Sequence, residues 1–433
     1  MKKALSMFQA RYEDRSLGEW FVTAFQLSER PVKPPPGYWF YAAGTRSAWD
    51  SESGTQPSSL FPRSILLHPH TTLTGPTQVA AAGIEPFVAF ASLNKGESAP
   101  QWLSREVFSA WDLDPRLASL HLIAVSENAT FRLEVDGISV AVLRVHRPGY
   151  VDPGKIRSEL QWVQALGEGI EVGVPEVMPL ADGSLVHTFS RSAKEGALPG
   201  EAPWHVVAFA FVQGAVLEDI IGVLPDPASY YRRIGAATAK FHEQAEQWQP
   251  PADFDRFQWR LEDMLGDSSR WGDWRGAQLR GDQREVLARA ESAAVEHLSG
   301  LQPEGEGWGL IHADLRPSNI MMHEDNLTVI DFDDCGFGWF LYDFASALSF
   351  IEHEPYAPTI AQEWVEGYRD VKELSPSDVR IACALSMLRR LTMLGWTTTH
   401  RRDALPPAIW DAQCPGTVEV ARRYLDSPTW LLD

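Results

Sequence analysis

The chain has 433 residues, 44% of them hydrophobic and 22% charged, a globular composition with room for two or three domains. Net charge is −20, and because residues 1–100 hold 9 Lys/Arg against 8 Asp/Glu, the acidic excess lies in the remainder. An acidic body excludes a partner bound by phosphate tracking, such as a nucleic acid, which needs a basic face, and it is compatible with a cationic small molecule.

Residues 1–100 read as an N-terminal extension. Pro31, Pro34, Pro35 and Pro36 break one segment, and Ser51–Ser59 is rich in Ser, Gly and Pro. Gly37–Tyr41, Ser64–Leu67 and Phe87–Phe90 have the look of short strands, so a small β-containing module is expected. His68 and His70 lack further partners in the sequence and read as surface residues. Arg11, Glu13 and Asp14 interrupt any signal-peptide core, and no run reaches the ~18 apolar residues of a spanning helix. A cytoplasmic location with no membrane partner is the expectation.

An amphipathic helix is predicted to start near Gln101, followed by a strand at Leu120–Val125. Thr130–Val135, Asp136-Gly137 and Ile138–Val145 form a hairpin signal, with Asp-Gly suited to a type I′ turn. A two-residue turn predicts pairs Val135 with Ile138, Leu133 with Val140 and Phe131 with Val142. Period two then sets Val142 and Arg144 on one face. The turn Ser126–Ala129 before this hairpin carries no glycine. A helix after Pro153 buries Ile156, Leu160 and Val163, with Glu159 beside them. Trp204–Val212 is a buried strand ending at Gln213-Gly214. Helices are expected at Pro227–Trp248, with His242 as a structural hydrogen-bonder, and at Asp253–Leu265 and Gln283–Leu298.

The most informative stretch runs from Trp308 to Asp334. Ile320–Met322 and Thr328–Ile330 are short apolar runs around Glu324-Asp325-Asn326, a hairpin by composition. A three-residue turn centred on Asp325 pairs Ile320 with Ile330 and sets Asn319 opposite Asp331, with Cβ atoms roughly 4.5–5.5 Å apart. An amide oxygen and a carboxylate at that spacing could share one Mg²⁺, which at phosphoryl-transfer sites takes one or two protein ligands and the rest from water and phosphate. Asp314, upstream on the loop, is then free to orient an acceptor hydroxyl and take its proton. Asp333 shares the Asp331 face and suits an outer role through metal-bound water. Beyond it the chain turns at once into a helix at Phe340–Phe350, with no activation segment or A-P-E motif. Helices near Pro358–Arg369, Pro376–Trp396 and Val418–Leu425 follow; Trp364, Trp396 and Trp410 read chiefly as core. Cys335, Cys383 and Cys414 show no CxxC spacing and suit a reducing compartment.

His312-Ala-Asp-Leu-Arg-Pro-Ser-Asn319, Val329-Ile-Asp-Phe-Asp-Asp334 and Gly336–Ala345 together resemble the aminoglycoside phosphotransferase superfamily of kinase-like enzymes. Within it they look most like the bacterial branch that holds homoserine kinase type II and stress-response kinase-like proteins. The likeness covers about residues 101–400 and is specific over roughly 305–350. It implies an α+β, bilobal protein-kinase-like fold: a β-rich N-lobe over 101–213 and an α-rich C-lobe over 214–433, with the N-terminal extension outside the family pattern. It implies ATP and Mg²⁺ as cofactors and a small-molecule hydroxyl as acceptor. Asp314 would be the catalytic carboxylate, with His312 bracing its loop and Arg316 beside it, and Asn319 and Asp331 would hold the metal. Val142 would cover the adenine, Arg144 would clamp phosphates in place of the commoner lysine, and Glu159 would pair with Arg144. The Ala210 carbonyl and Val212 amide would meet the adenine edge, and Asp343 would support the catalytic loop. Two other readings stay open: a Ser/Thr protein kinase, given Arg316-Pro317, and a nucleotide-binding module without turnover. The oligomeric state is not legible.

Overall fold

Alternation of apolar and polar residues builds the first layer. In the computed structural model, which describes residues 87–433 apart from 199, 267, 268 and 401, strands β1 (Ala118–Val125), β2 (Ala129–Val135), β3 (Ile138–His146), β4 (His187–Phe189) and β5 (Trp204–Ala210) form a sheet in the order β1-β2-β3-β5-β4. The strands expected at 37–41 and 64–67, the linker at 51–59, and His68 and His70 lie outside the described residues. Phe87–Phe90 is not a strand: Val88–Phe90 is a single 3₁₀ turn. Its shape sends both Phe87 and Phe90 into the sheet's core, against Trp204 and Phe131. That core is completed by Leu103 and Val107 of helix α1 (Gln101–Ala110), so it reaches N-terminal of residue 101.

The β2–β3 turn is as expected. Asp136 and Gly137 both have positive φ, 53° and 77°, as a type I′ turn requires. The register past it is not. Val135 faces Ile138, but a bulge then shifts the ladder, so Leu133 faces Ala141, Phe131 faces Leu143 and Arg132 faces Val142. The extra residue is absorbed near Val140, a device invisible to strict alternation. Phe131, Leu133, Ala141, Leu143 and Val145 consequently share the buried core, whereas Val142 and Arg144 turn together to the opposite face.

Helix α2 (Pro153–Gly169) follows β3. Asp152 caps it by accepting from the Gly154 amide at 2.7 Å, and Ile156, Leu160 and Val163 are buried with Glu159. The chain passes from β5 to a second, helical layer through residues 211–214. Short β6 (Ala215–Val216) leads into helices α3 (Leu217–Ile220) and α4 (Pro227–Gln247). The helix expected over 253–265 divides into strand β7 (Phe257–Trp259) and a short helix α5 (Leu261–Met264). Pairing decides this: β7 runs parallel to β11 (Gly336–Trp339), which also pairs with β8 (Trp308–Ile311). Helix α6 (Gly281–His297) comes between.

The hairpin of β9 (Ile320–His323) and β10 (Asn326–Val329) pairs on its other edge with β6. Helix α7 (Tyr342–Ala347) follows β11 with two residues between, and α8 (Ala357–Arg369), α9 (Pro376–Thr399) and α10 (Pro407–Asp426) finish the layer. Helix α8 lies so close on α4 that a Cβ at Gly367 would meet the Arg232 carbonyl oxygen at 1.8 Å. Helix α9 is the spine, buried continuously from Ala382 to Gly395. Among the described residues no helix is long and apolar enough to cross a membrane.

Candidate active site

The loop between β8 and β9 carries the site. Ala313 sits at φ 66°, a left-handed conformation that costs an L-residue roughly 1–2 kcal/mol. Asp343, fully buried on α7, offsets this by accepting from the His312 amide at 3.0 Å and the Ala313 amide at 2.7 Å. Ser346, one turn on, accepts from the Leu315 amide at 3.0 Å. His242 of α4 closes the support at 3.1 Å from Asp343 Oδ2 and 2.9 Å from the Tyr368 hydroxyl. His312 is buried inside the loop. Its Nε2 donates to the Ile330 carbonyl at 3.1 Å and its Nδ1 accepts from the Asp314 amide at 3.3 Å, a pattern that one neutral tautomer satisfies.

Asp314 projects from this brace with its side chain 19% exposed. Oδ2 accepts from Asn319 Nδ2 at 2.9 Å and Arg316 Nε at 3.3 Å, and Oδ1 accepts from Arg389 Nη2 at 2.7 Å. Burial alone would raise the carboxyl's pKa; the charges of Arg316 and Arg389 override it and hold the group below its ordinary value. Asn319 also donates to the Asp314 carbonyl at 2.8 Å. With its amide nitrogen engaged on Asp314, its carbonyl oxygen is the arm left for a cation.

The hairpin corrects one expectation. Its turn is two residues, Glu324-Asp325, so Met322 faces Leu327 and Ile320 faces Val329. Asn319 is aligned with Ile330 instead of Asp331: its carbonyl accepts from the Ile330 amide at 2.9 Å. Asp331 comes one residue later, at φ 64°, and points to Arg144, whose Nη1 donates to Oδ1 at 3.1 Å. Asn319 and Asp331 are therefore not a cross-strand pair. The first reaches Asp314 and the second reaches the upper sheet.

Arg144 is the centre of that second group. It is buried and pairs with Glu159 of α2 through Nη2, while its Nε has no hydrogen-bond partner among the described residues. Phe209 of β5, paired with Val142, lies under the guanidinium at 5.6 Å. Ala210 ends β5 opposite Ala141, its amide bonded to the Glu176 carbonyl at 2.8 Å. Val212 lies on the connection to β6, where Gly214 at φ 123° passes so near β9 that a Cβ would meet the Met322 carbonyl oxygen at 2.2 Å.

Three carboxylates follow one another here. Asp333 accepts from Asn128 Nδ2 at 3.0 Å, and Asp334 lies 3.7 Å from Arg270. Desolvation, then the charge of Asp333, pushes Asp331 above the ordinary carboxylate range, although its side chain stays 46% exposed. Burial raises Asp333 against the pull of Arg144. Burial and Asp333 together bring Asp334 to about 8. Crowded carboxylates of this kind are what a divalent cation relieves. Among the described residues no three His, Cys, Asp or Glu side chains form a group that could hold a metal ion.

Several residues at the site escape sequence reasoning. Asn128, in the glycine-free β1–β2 turn, reaches Asp333 across 205 positions, and its neighbour Glu127 meets His400 of the lower layer at 3.1 Å. Arg256, buried, donates to the carbonyls of Asp333 at 2.6 Å and Cys335 at 2.7 Å and so holds the carboxylate loop from beneath. Arg389 and Arg390 were readable as an anomaly: two adjacent cations inside the apolar run Leu385–Leu394 must have buried partners.

A phosphotransferase enzyme family model matches residues 121–375. A homoserine kinase of Allorhizobium ampelinum is 30% identical over 217 residues, 48% of this chain and 63% of that protein, so the chain spans under two thirds of that relative's length. The structure of a microcompartment-associated aminopropanol kinase superimposes with TM-score 0.66 at 37% identity, covering 76% of this chain and 99% of that one. An amicoumacin kinase in complex with AMP-PNP, Ca²⁺ and Ami shares the fold at 18% identity, with TM-score 0.59 over 77% of this chain and 95% of that one. The bilobal layout and the family match thus agree with the motif reading: this chain belongs to the phosphotransferase enzyme family and has its α+β, kinase-like fold.

Proposed function

We propose that this protein transfers the γ-phosphoryl group of ATP, with Mg²⁺, to the hydroxyl of a small amino alcohol. The observation that carries the reading is Asp314: an ionised carboxylate clamped by three side chains at a partly open edge, close enough to the Arg144–Asp331 ion pair for the Asp314 charge to act on Asp331. Asp314 accepts the hydrogen bond of the acceptor hydroxyl, orients its oxygen toward the γ-phosphorus and receives its proton. The new oxygen–phosphorus bond forms as the bond to the β–γ bridging oxygen breaks, and ADP leaves with that electron pair. With its pKa held low, Asp314 is a weak base, so positioning is its larger contribution.

Arg144 Nε is a buried donor available to a phosphate oxygen, and a fork that never loses its charge suits that task. Asn319 Oδ1 and Asp331 would hold the metal, which neutralises charge developing on the phosphates; Asp333 would act through its water. Val142 and Phe209 offer the apolar cover for a base, and the chain at Ala210–Val212 the polar edge. The amino-alcohol class is favoured by the similarity to aminopropanol and homoserine kinases and by the acidic body. The direct passage from Asp334 through β11 into α7 leaves no platform for a protein substrate. Scattered free cysteines fit a cytoplasmic setting.

The test is ADP release by the purified full chain with Mg²⁺-ATP and a panel of 1-amino-2-propanol, homoserine, ethanolamine, choline and kanamycin. At least one alcohol should be turned over, and Asp314→Asn should lower kcat by roughly 10²–10⁴-fold. Binding of ATP with no turnover of any alcohol, or an Asp314→Asn variant as fast as wild type, would favour a non-catalytic nucleotide module.

A further inference from the structure

Arg389 lies outside every motif that marks the site, yet its guanidinium is fully buried and spends four donor contacts there. Nη2 donates to Asp314 Oδ1 at 2.7 Å, Nη1 to the Ala313 carbonyl and to the Tyr342 hydroxyl at 3.1 Å each, and Nε to Ser349 Oγ at 3.1 Å. Trp271 and Tyr342 flank the cation, their ring centres 4.8 and 5.4 Å from its central carbon. One rigid group therefore grips both the strained residue Ala313 and the carboxylate that follows it.

The hydrogen-bond geometry of Asp314 gives this grip a consequence. Each carboxylate oxygen has two lone-pair directions. Oδ2 spends both, on Asn319 and Arg316; Oδ1 spends one, on Arg389. A single acceptor direction remains, and it is on Oδ1. We propose that Arg389 is a positioning residue for phosphoryl transfer, which fixes the Asp314 carboxylate so that Oδ1 alone is presented to the acceptor hydroxyl. This rests on the phosphotransferase reading above and adds a residue from α9, 75 positions away in sequence, to its machinery. Losing the fork would let the carboxylate rotate, which misaligns the hydroxyl in the reacting complex without touching the nucleotide side.

Arg390 supplies the matched control. It is equally buried and adjacent on the same helix, but it serves Glu352, Thr417 and the Ala412 carbonyl instead of Asp314. The experiment is steady-state kinetics of the full chain with Mg²⁺-ATP and the alcohols of the panel above. Arg389→Lys, which keeps the charge and loses the fork, should lower kcat at least about tenfold with KM for ATP within about twofold. Arg390→Lys should keep kcat within about twofold. Tyr342→Phe, which frees one guanidinium anchor and leaves Asp314 untouched, should lower kcat about threefold, and it decides the matter if Arg389→Lys does not fold. Wild-type kcat in Arg389→Lys, or in Tyr342→Phe where that variant decides, overturns the assignment. So does an equal loss in Arg390→Lys, or a loss borne by KM for ATP instead of kcat. A wild type inert toward every alcohol overturns the parent reading, and this one with it.

Discussion

Arg144 shows how one side chain can be legible in sequence while its neighbourhood is not. The Arg144–Glu159 pair was implied by the family resemblance, with the strand and helix periods setting only which face each residue takes. That Arg144 also holds Asp331 does not follow, because it depends on the hairpin register. The register turns on Glu324, at φ 53°. A left-handed first turn residue is usually signalled by glycine or asparagine, and glutamate gives no such signal, so the composition points to a three-residue turn centred on Asp325 instead. The pairing suggests a clean test. Arg144→Ala leaves buried Glu159 with only the more distant Arg256, at 3.9 Å, a change that costs up to roughly 3–5 kcal/mol, and it removes the proposed phosphate donor. Its Tm should drop markedly and its KM for ATP rise. Arg144→Lys should recover much of the Tm, since the charge returns, and less of the KM, since the fork does not. Equal Tm values for wild type and Arg144→Ala would show that the pair contributes nothing to the fold.

Helices with a single apolar stripe, such as α2 and α4, were visible from their spacing. Helix α9 was visible only in outline, because it is buried all round and its charges answer to distant partners. Strand β7 was hidden for the opposite reason: three residues, Phe257–Trp259, take their conformation from β11, nearly 80 positions on, and local propensity loses to that pairing. The polar interior of α9 carries a pH dependence. His353 lies beside Arg390, and burial, then the charges of Arg390 and Arg423, lower its pKa to about 4, with Glu419 pulling weakly the other way. The unfolded chain takes up that proton near pH 6.5. Below pH 6.5 the unfolded state therefore binds more protons than the folded one, and stability falls with pH until about pH 4. The contribution is fully present above pH 6.5. Comparing wild type with His353→Gln isolates this group from every other titration: with solvent screening of a partly open group allowed for, the wild type should lose on the order of 1 kcal/mol relative to the variant between pH 6.5 and pH 5. Parallel Tm profiles of the two proteins across that window would show that His353 is protonated as easily folded as unfolded.

At the scale of the molecule, the two layers are joined by side-chain contacts as well as by the chain at residues 211–214. The family resemblance implied two lobes and a connection near residue 212. It could not anticipate ties made by a turn whose only visible property was its lack of glycine. That turn bears Glu127 and Asn128. Asn128 donates to Asp333 and Glu127 meets His400, which stacks on Trp396 at 3.9 Å between ring centres. From the upper side, Arg147 donates to the Ser126 and Glu127 carbonyls at 3.2 and 3.3 Å. A glycine-rich loop would cover phosphates by backbone flexibility; here the β1–β2 connection is a turn fixed at both ends. Closure is thus built into side-chain contacts between layers, and its strength should be adjustable without disturbing either core. Burial pushes the Glu127 carboxyl up, but its bond with His400 outweighs this and the pKa lies below the ordinary value, so the tie persists into mild acid. Glu127→Gln keeps the shape and removes the charge. It should raise KM for ATP several-fold, by the ~0.5–1.5 kcal/mol of one partly buried polar contact, while kcat and Tm stay close to wild type. Combining it with Asn128→Ala should raise KM further, because the two ties hold one turn and the second must carry what the first releases. If KM for ATP were unchanged in the double variant, the turn would be a bystander, and closure over the nucleotide would have to come from the connection at 211–214 alone.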